Sequence, residues 1–275
     1  MYLIDYHVHT KRCGHARGED REYVEAAIRS GLREIGFADH VPRFYEADQP
    51  GAAIVNRGMS WADLEDYVTT VTGLRCAYPE IQIKLGLEVD YLPGWESRIA
   101  AIASRYPWDY LLGSVHFLPQ WDYGYIGYDK THAPREIYPA YFKQVAAAAG
   151  SKLFDVLAHI DLPRRFFKSL PEAEMAELYG ELAVSLGKAA AVIELNTYAI
   201  RSAKQERVGV LPERDLLRLC RREGVRVTLG SDAHQPEEVG ADFDTAVALL
   251  QETGYDGIIG FQHRDAQAVF WREKE

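Results

Sequence analysis

Cysteine is scarce in this chain. There are three in 275 residues, Cys13, Cys76 and Cys220, an odd number, widely scattered and with no CxxC pair. That excludes a disulfide framework and fits a reducing compartment, so a cytoplasmic location is expected. Long apolar runs are missing too. None approaches the roughly 20 residues that cross a bilayer, so no membrane partner is expected. The first residues, Met1-Tyr2-Leu3-Ile4-Asp5, read at once as a strand and lack the basic and apolar regions of a secretory leader. An excess of positive charge is absent. The formal net charge is -10, which argues against non-specific nucleic-acid binding. An acidic protein that handles an anion must neutralise it locally, with metal or arginine. There is no linker, internal repeat, low-complexity tract or glycine-rich phosphate cradle.

What is present is a core-forming sequence, 47% hydrophobic, long enough for one barrel or two ordinary domains. Short apolar runs suited to strands buried on both faces fall at 3–6, 34–38, 83–89, 110–115, 154–158, 192–195, 225–229 and 257–260. Helical spacing marks 20–30, 61–76, 94–104, 134–149, 171–188, 212–223 and 236–253. Ser60 and Asp63 form a near capping box. Pro134, Pro171, Pro212 and Pro236 sit near helix starts, where proline costs little. Gly31, Gly150 and Gly224 sit where a left-handed residue ends a helix. Strand and helix alternate about seven times, which predicts an α/β barrel with a single core spanning residues 1–275. A doubly wound open sheet is the competing architecture, and it would string the strand ends along a line.

Six of the runs end in histidine or carboxylate: His7 and His9, Asp39-His40, Glu88, His116, His159 with Asp161, and Asp232 with His234. His15 follows a Cys13-Gly14 turn and can swing back over the first strand end. A parallel barrel gathers all carboxyl ends at one mouth, where imidazole and carboxylate together suit zinc, manganese or iron. Seven of the nine histidines belong to this set. His132 and His263 do not. Cys13 reads as a small loop residue rather than a ligand. Asp39 and Asp161 are expected to accept the free N–H of a ligating imidazole. Two loops, 41–59 and 118–133, are longer than their connections need. The second is rich in aromatics (Trp121, Tyr123, Tyr125, Tyr128), and both are expected to shape a pocket.

The ordered motifs His7-Val8-His9-Thr10, Cys13-Gly14-His15-Ala16, Gly36-Phe37-Ala38-Asp39-His40, Gly86-Leu87-Glu88-Val89-Asp90, Gly113-Ser114-Val115-His116-Phe117, His159-Ile160-Asp161-Leu162, Glu194-Leu195-Asn196-Thr197 and Gly230-Ser231-Asp232-Ala233-His234 span the chain. Together they resemble the PHP family (polymerase and histidinol phosphatase), in particular its histidinol-phosphate phosphatase branch. The resemblance implies a distorted (β/α)7 barrel with three divalent ions, zinc first, manganese or iron as alternatives. It implies His7, His9, Glu88 and Asp232 around one ion, His15, His40 and His234 around a second, and Glu88, His116 and His159 around a third. Pro163, after Asp161-Leu162, is a local departure from the family pattern.

Hydrolysis of a phosphate monoester fits such a cluster, by in-line attack of a metal-bridging hydroxide. Arg164 and Arg201 leave the same face and are expected to clamp phosphate, with Arg165 a solvated charge. Asp161 or a metal-bound water is expected to supply the leaving-group proton. Phe117, Trp121, Asp122 and Tyr198 are candidates for the leaving-group pocket. The expected substrate is a small phosphorylated metabolite, L-histidinol phosphate of histidine biosynthesis. The alternatives are another small phosphoester, a phosphoprotein, an accessory module of a DNA polymerase, or a metal-binding protein without turnover.

Overall fold

The computed structural model describes residues 1–41, 58–118, 125–202 and 208–271. Seven strands form one parallel sheet in sequence order: β1 (Ile4–Val8), β2 (Glu34–Phe37), β3 (Gln82–Asp90), β4 (Tyr110–Ser114), β5 (Val156–Leu157), β6 (Val192–Asn196) and β7 (Arg226–Gly230). Their apolar residues are buried, as the continuous apolar runs require when both faces are covered. The sheet closes through a bridge between Val8 and Ala233. The His9 amide donates to the Ala233 carbonyl at 2.9 Å, and the Ala233 amide to the His7 carbonyl at 3.1 Å. Closure removes the open-sheet alternative and brings the carboxyl ends of all seven strands to one mouth.

One irregularity in β1 has a large effect. Asp5 pairs with Ile35 and Val8 with Phe37, so Tyr6 and His7 together face Gly36. The extra residue is a β-bulge, which breaks the in–out alternation of the strand. Both neighbours therefore turn into the barrel. The Tyr6 ring stacks on Tyr110, 4.7 Å between centroids, while His7 reaches Glu88 and Glu194. A Cβ at Gly86 would lie 2.3 Å from the Tyr110 ring, and one at Gly36 2.4 Å from its hydroxyl. Glycine at these two points is what admits the ring.

Among the described residues eight helices surround the sheet: α1 (Asp20–Arg29), α2 (Trp61–Ala77), α3 (Glu96–Ala103), α4 (Pro134–Ser151), α5 (Glu172–Lys188), α6 (Tyr198–Ser202), α7 (Arg214–Arg222) and α8 (Phe243–Glu252). Ser60 and Asp63 cap α2 reciprocally as expected. Three expectations change. The helix read over 236–253 splits into a 3₁₀ turn, Pro236–Glu238, and α8, because Gly240 and Asp242 are left-handed at φ +66° and +63°. Gly150 lies inside α4, and Lys152 takes the left-handed cap at φ +58°. The eighth apolar run, β8 (Gly257–Gln262), does not join the barrel. It pairs antiparallel with β9 (Asp265–Phe270) across a His263-Arg264 turn in which both residues have positive φ, the geometry of a two-residue hairpin. Phe261 of that hairpin donates its amide to the Tyr6 hydroxyl at 3.0 Å, sealing the barrel beneath the stacked tyrosines. No helix among the described residues is long and apolar enough to cross a membrane.

Candidate metal centre

Glu88, near the end of β3 and 1% exposed, stands at the middle of the mouth. Its Oε2 lies 2.8 Å from His40 Nδ1, 3.5 Å from His7 Nε2 and 3.6 Å from His9 Nε2. Its Oε1 lies 3.3 Å from His159 Nε2 and 3.7 Å from His116 Nε2. One carboxylate thus faces five imidazoles from four strand ends. Asp232 adds a second carboxylate, 3.2 Å from His9 Nε2 and 3.7 Å from His7 Nε2. His15 and His234 complete the ring, their Nε2 atoms 2.9 Å apart, with His234 stacked on His9 at 4.2 Å between centroids. The nine side chains read from the sequence all meet here. His7, His9 and Glu88 are close enough to share a cation, as are His9, His40 and His234, and His40, Glu88 and His116.

In four of the histidines the ring nitrogen turned away from the mouth has its own partner, and these assign the tautomers. His7 Nδ1 meets Glu194 Oε1 at 2.6 Å, and His116 Nδ1 meets Asp90 Oδ1 at 2.9 Å. The Nδ1 atoms of His15 and His234 meet the carbonyls of Cys13 and Asp232 at 3.1 and 2.9 Å. A carbonyl or carboxylate only accepts, so each Nδ1 carries the hydrogen. Each Nε2 then directs a lone pair into the mouth. His7 Nε2 is buried and has no hydrogen-bond partner, and the atoms it faces are carboxylate oxygens. A lone pair aimed at carboxylates is satisfied by a cation between them, and the imidazole–carboxylate set suits a divalent transition ion.

Charge supports the same reading. Burial works against ionisation of Glu88 and Asp232, yet the imidazoles hold both well below the usual carboxylate range. His40 is lowered chiefly by burial, and His234 is lowered to about 3 by burial and by His9. Both stay neutral. For His9 burial is outweighed by Asp232, Asp39 and Glu88, which lift it to about 9. Two of the ring's residues have left-handed backbones, His159 at φ +28° and Asp232 at φ +55°. Such strain in residues with a Cβ persists where surrounding contacts over-determine it.

The expected helpers divide. Asp39 does face an imidazole, with Oδ1 3.5 Å from His9 Nδ1, while its Oδ2 accepts from the Thr10 amide. Cys13 is buried within reach of His9 and Asp39. It accepts from the Ala16 amide and burial pushes its thiol up. The hydrogen bonds of Asp161 go to no imidazole. It is fully buried, accepting from the Glu213 amide at 2.9 Å and from Arg164 at 3.4 Å. Burial raises it to about 6, but it does not line the cavity. Glu194 and Asp90 were not singled out from the sequence. They sit inside strands and read there as ordinary strand residues. Only their place within the quoted motifs signals them. His132 bonds Asp129 at 2.6 Å, and His263 lies in the hairpin turn, both apart from the ring.

The two arginines expected to clamp phosphate have protein partners here. Arg164 bonds Glu213 at 2.9 Å and the Val208 carbonyl at 3.2 Å. Arg201 bonds the Ser231 carbonyl at 2.6 Å and Asp242 at 3.2 Å. Neither lines the cavity, whereas Arg165 does. The 3₁₀ turn Leu162–Arg165, with Pro163 in its first turn, sends the adjacent side chains in different directions. Arg165 lies over the Tyr198 ring, 4.5 Å from its centroid, so it is not a loose surface charge. The cavity wall beside it is aromatic: Tyr125, Tyr128, Phe166 and Tyr198. Tyr198 was expected. Phe117 meets Tyr125 edge-on at 6.1 Å rather than lining the cavity. Trp121, Asp122 and Tyr123 lie outside the described residues, as do 42–57 of the other long loop.

The PHP domain model matches residues 5–198, well over half the sequence. The chain belongs to the PHP family. It is 34% identical over 271 residues to a probable histidinol-phosphatase of Deinococcus radiodurans, covering 96% of this chain and 98% of that one. It is 28% identical to the histidinol-phosphatase of Bacillus subtilis, covering 89% and 98%. The crystal structure of histidinol phosphate phosphatase from Lactococcus lactis, in complex with zinc, L-histidinol and phosphate, superposes with a TM-score of 0.80 at 25% identity, covering 96% and 98%. This PHP chain thus shares its barrel with relatives along nearly its whole length.

Proposed function

We infer that this PHP protein is a metal-dependent histidinol-phosphatase that hydrolyses L-histidinol phosphate to L-histidinol and phosphate. The convergence of seven imidazoles and two carboxylates around Glu88 carries this reading. The full-length relatives named above support the choice of substrate. Histidine biosynthesis in the cytoplasm is the setting it implies.

Three divalent ions, zinc first, are assigned to the ring. His7, His9, Glu88 and Asp232 would hold one, His15, His40 and His234 a second, and Glu88, His116 and His159 a third. When bound, such a cluster neutralises phosphate oxygens and makes water nucleophilic near neutral pH. The chain's own residues do the rest. Arg165 is assigned to the phosphate, since its guanidinium can offer two parallel donors from a position fixed on Tyr198. Arg164 and Arg201 act through the backbone they hold: the segment before α7, and the end of β7 that carries Asp232. Tyr125, Tyr128, Phe166 and Tyr198 give the leaving group an aromatic wall suited to an imidazole ring and limit water beside it.

The test is phosphate release from a panel of small phosphoesters at matched concentration, before and after chelation. Histidinol phosphate should lead by at least about 10-fold in kcat/KM, and activity should vanish on chelation and return with zinc or manganese. A flat panel, or turnover that survives chelation, overturns the reading.

A further inference from the structure

We propose that Glu194 is a positioning residue that fixes the tautomer of His7, and so makes one ion of the cluster depend on a side chain that cannot itself reach it. This rests on the metal assignment above. Glu194 is 1% exposed at the centre of β6. Its Oε1 takes the His7 Nδ1 hydrogen at 2.6 Å. Its Oε2 accepts from the His159 amide at 2.9 Å and from Asn196 Nδ2 at 3.1 Å. Asn196 Nδ2 also reaches Asp232 Oδ2 at 3.4 Å. One carboxylate therefore ties together residues from the ends of β1, β5 and β7. The space is tight. A Cβ at Gly230 would come within 1.9 Å of Glu194 Oε1 and 2.8 Å of His7 Cβ, so the carboxylate cannot turn away.

The chemistry of a single-atom exchange exposes the role. A carboxylate accepts at both oxygens, whereas a glutamine offers one acceptor and one donor. In Glu194→Gln the oxygen goes to the Oε2 side, where two donors wait. The amide NH₂ then faces His7 Nδ1, which must give up its hydrogen to accept. The hydrogen moves to Nε2 and points at Glu88 and Asp232, where it makes good hydrogen bonds but blocks ligation. The fold keeps its contacts and His7 ceases to be a ligand. A carboxylate that only satisfied buried donors would leave ligation by His7 unchanged.

The experiment is zinc content and zinc affinity of folded wild type and E194Q, read by elemental analysis and competition with a chromophoric chelator. E194Q should hold one zinc fewer per chain and bind the lost ion about 10–100-fold more weakly, with the other ions retained. The double variant His7→Ala, Glu194→Gln should lose no more zinc than His7→Ala alone. Should E194Q not fold, the wild type decides. Two-bond ¹H–¹⁵N correlations of the zinc-loaded protein should show His7 with hydrogen on Nδ1 and zinc on Nε2. Wild-type zinc content and affinity in E194Q, additive losses in the double variant, or His7 bound through Nδ1 overturns the inference. Wild type that takes up no zinc overturns the metal assignment itself.

Discussion

His15 and His234 meet nitrogen to nitrogen, Nε2 atoms 2.9 Å apart, across 219 residues of sequence. Each uses Nδ1 on a backbone carbonyl, so the facing nitrogens carry lone pairs that repel unless a positive centre joins them. Replacing either by alanine should remove an ion and cut phosphate release by at least about 100-fold, since losses from weakened metal ligation start in that range. Elemental analysis beside the turnover assay checks it. Full zinc content in both variants would refute the pairing.

Arg165 and Arg164 are neighbours with opposite expected phenotypes. Arg165→Ala should lower kcat/KM by roughly 10²–10³-fold, the range for losing one charge-stabilising donor, with an unchanged unfolding midpoint. Arg165→Lys should recover only part, because a lysine has no planar fork. Arg164→Ala strips the partner from buried Asp161 and should destabilise the fold by about 3–5 kcal/mol. Kinetics paired with denaturant titration separate the two, and a catalytic defect confined to Arg164 would reverse the assignment.

Gly86→Ala should act on stability alone. The added methyl would sit 2.3 Å from the Tyr110 ring, and overpacking of this kind costs about 1–3 kcal/mol. Zinc content should be unchanged, because Tyr110 lies below the ring of ligands. Gly230→Ala crowds Glu194 and His7 instead, and should lower zinc content as well as the unfolding midpoint.

Asp129 offers a pH signature away from the barrel mouth. It accepts from the amides of Thr131 and His132 at 2.8 and 3.0 Å. Those amide bonds and the His132 side chain, outweighing its partial burial, lower its pKa to about 2. A carboxyl more acidic in the folded state than in the unfolded chain stabilises above the unfolded value near 3.8. That contribution fades as the pH falls toward 2. Asp129→Asn should therefore be less stable than wild type at pH 6, by up to about 1 kcal/mol, and the gap should narrow at pH 3. Denaturant titrations at the two values measure it, and an equal gap at both would rule out the mechanism.

The ring of imidazoles and carboxylates was legible in the sequence because every member but His15 closes an apolar run, and parallel strands bring such ends together. His7 and His9 reached the mouth, though not by simple alternation. The bulge at Tyr6-His7 depends on pairing with Gly36, which no local pattern announces. The different directions of Arg164 and Arg165 were not legible, because a 3₁₀ turn, not a strand, sets them, and one turn residue of offset separates a buried ion pair from a cavity wall. Glu194 escaped notice because its contacts are 187 residues away at His7 and 35 away at His159. β9 was missed because Asp265–Phe270 is largely exposed and lacks the apolar run by which the others were found.

The bridge from Val8 to Ala233 has a consequence for how the protein comes into being. β1 finds its second neighbour, β7, only after every other strand of the barrel has been made. Until then the histidines of the opening motif have neither Asp232 nor His234 beside them. Completion of the proposed metal ring thus waits for β7, and a chain truncated before β7 should take up fewer ions than the whole.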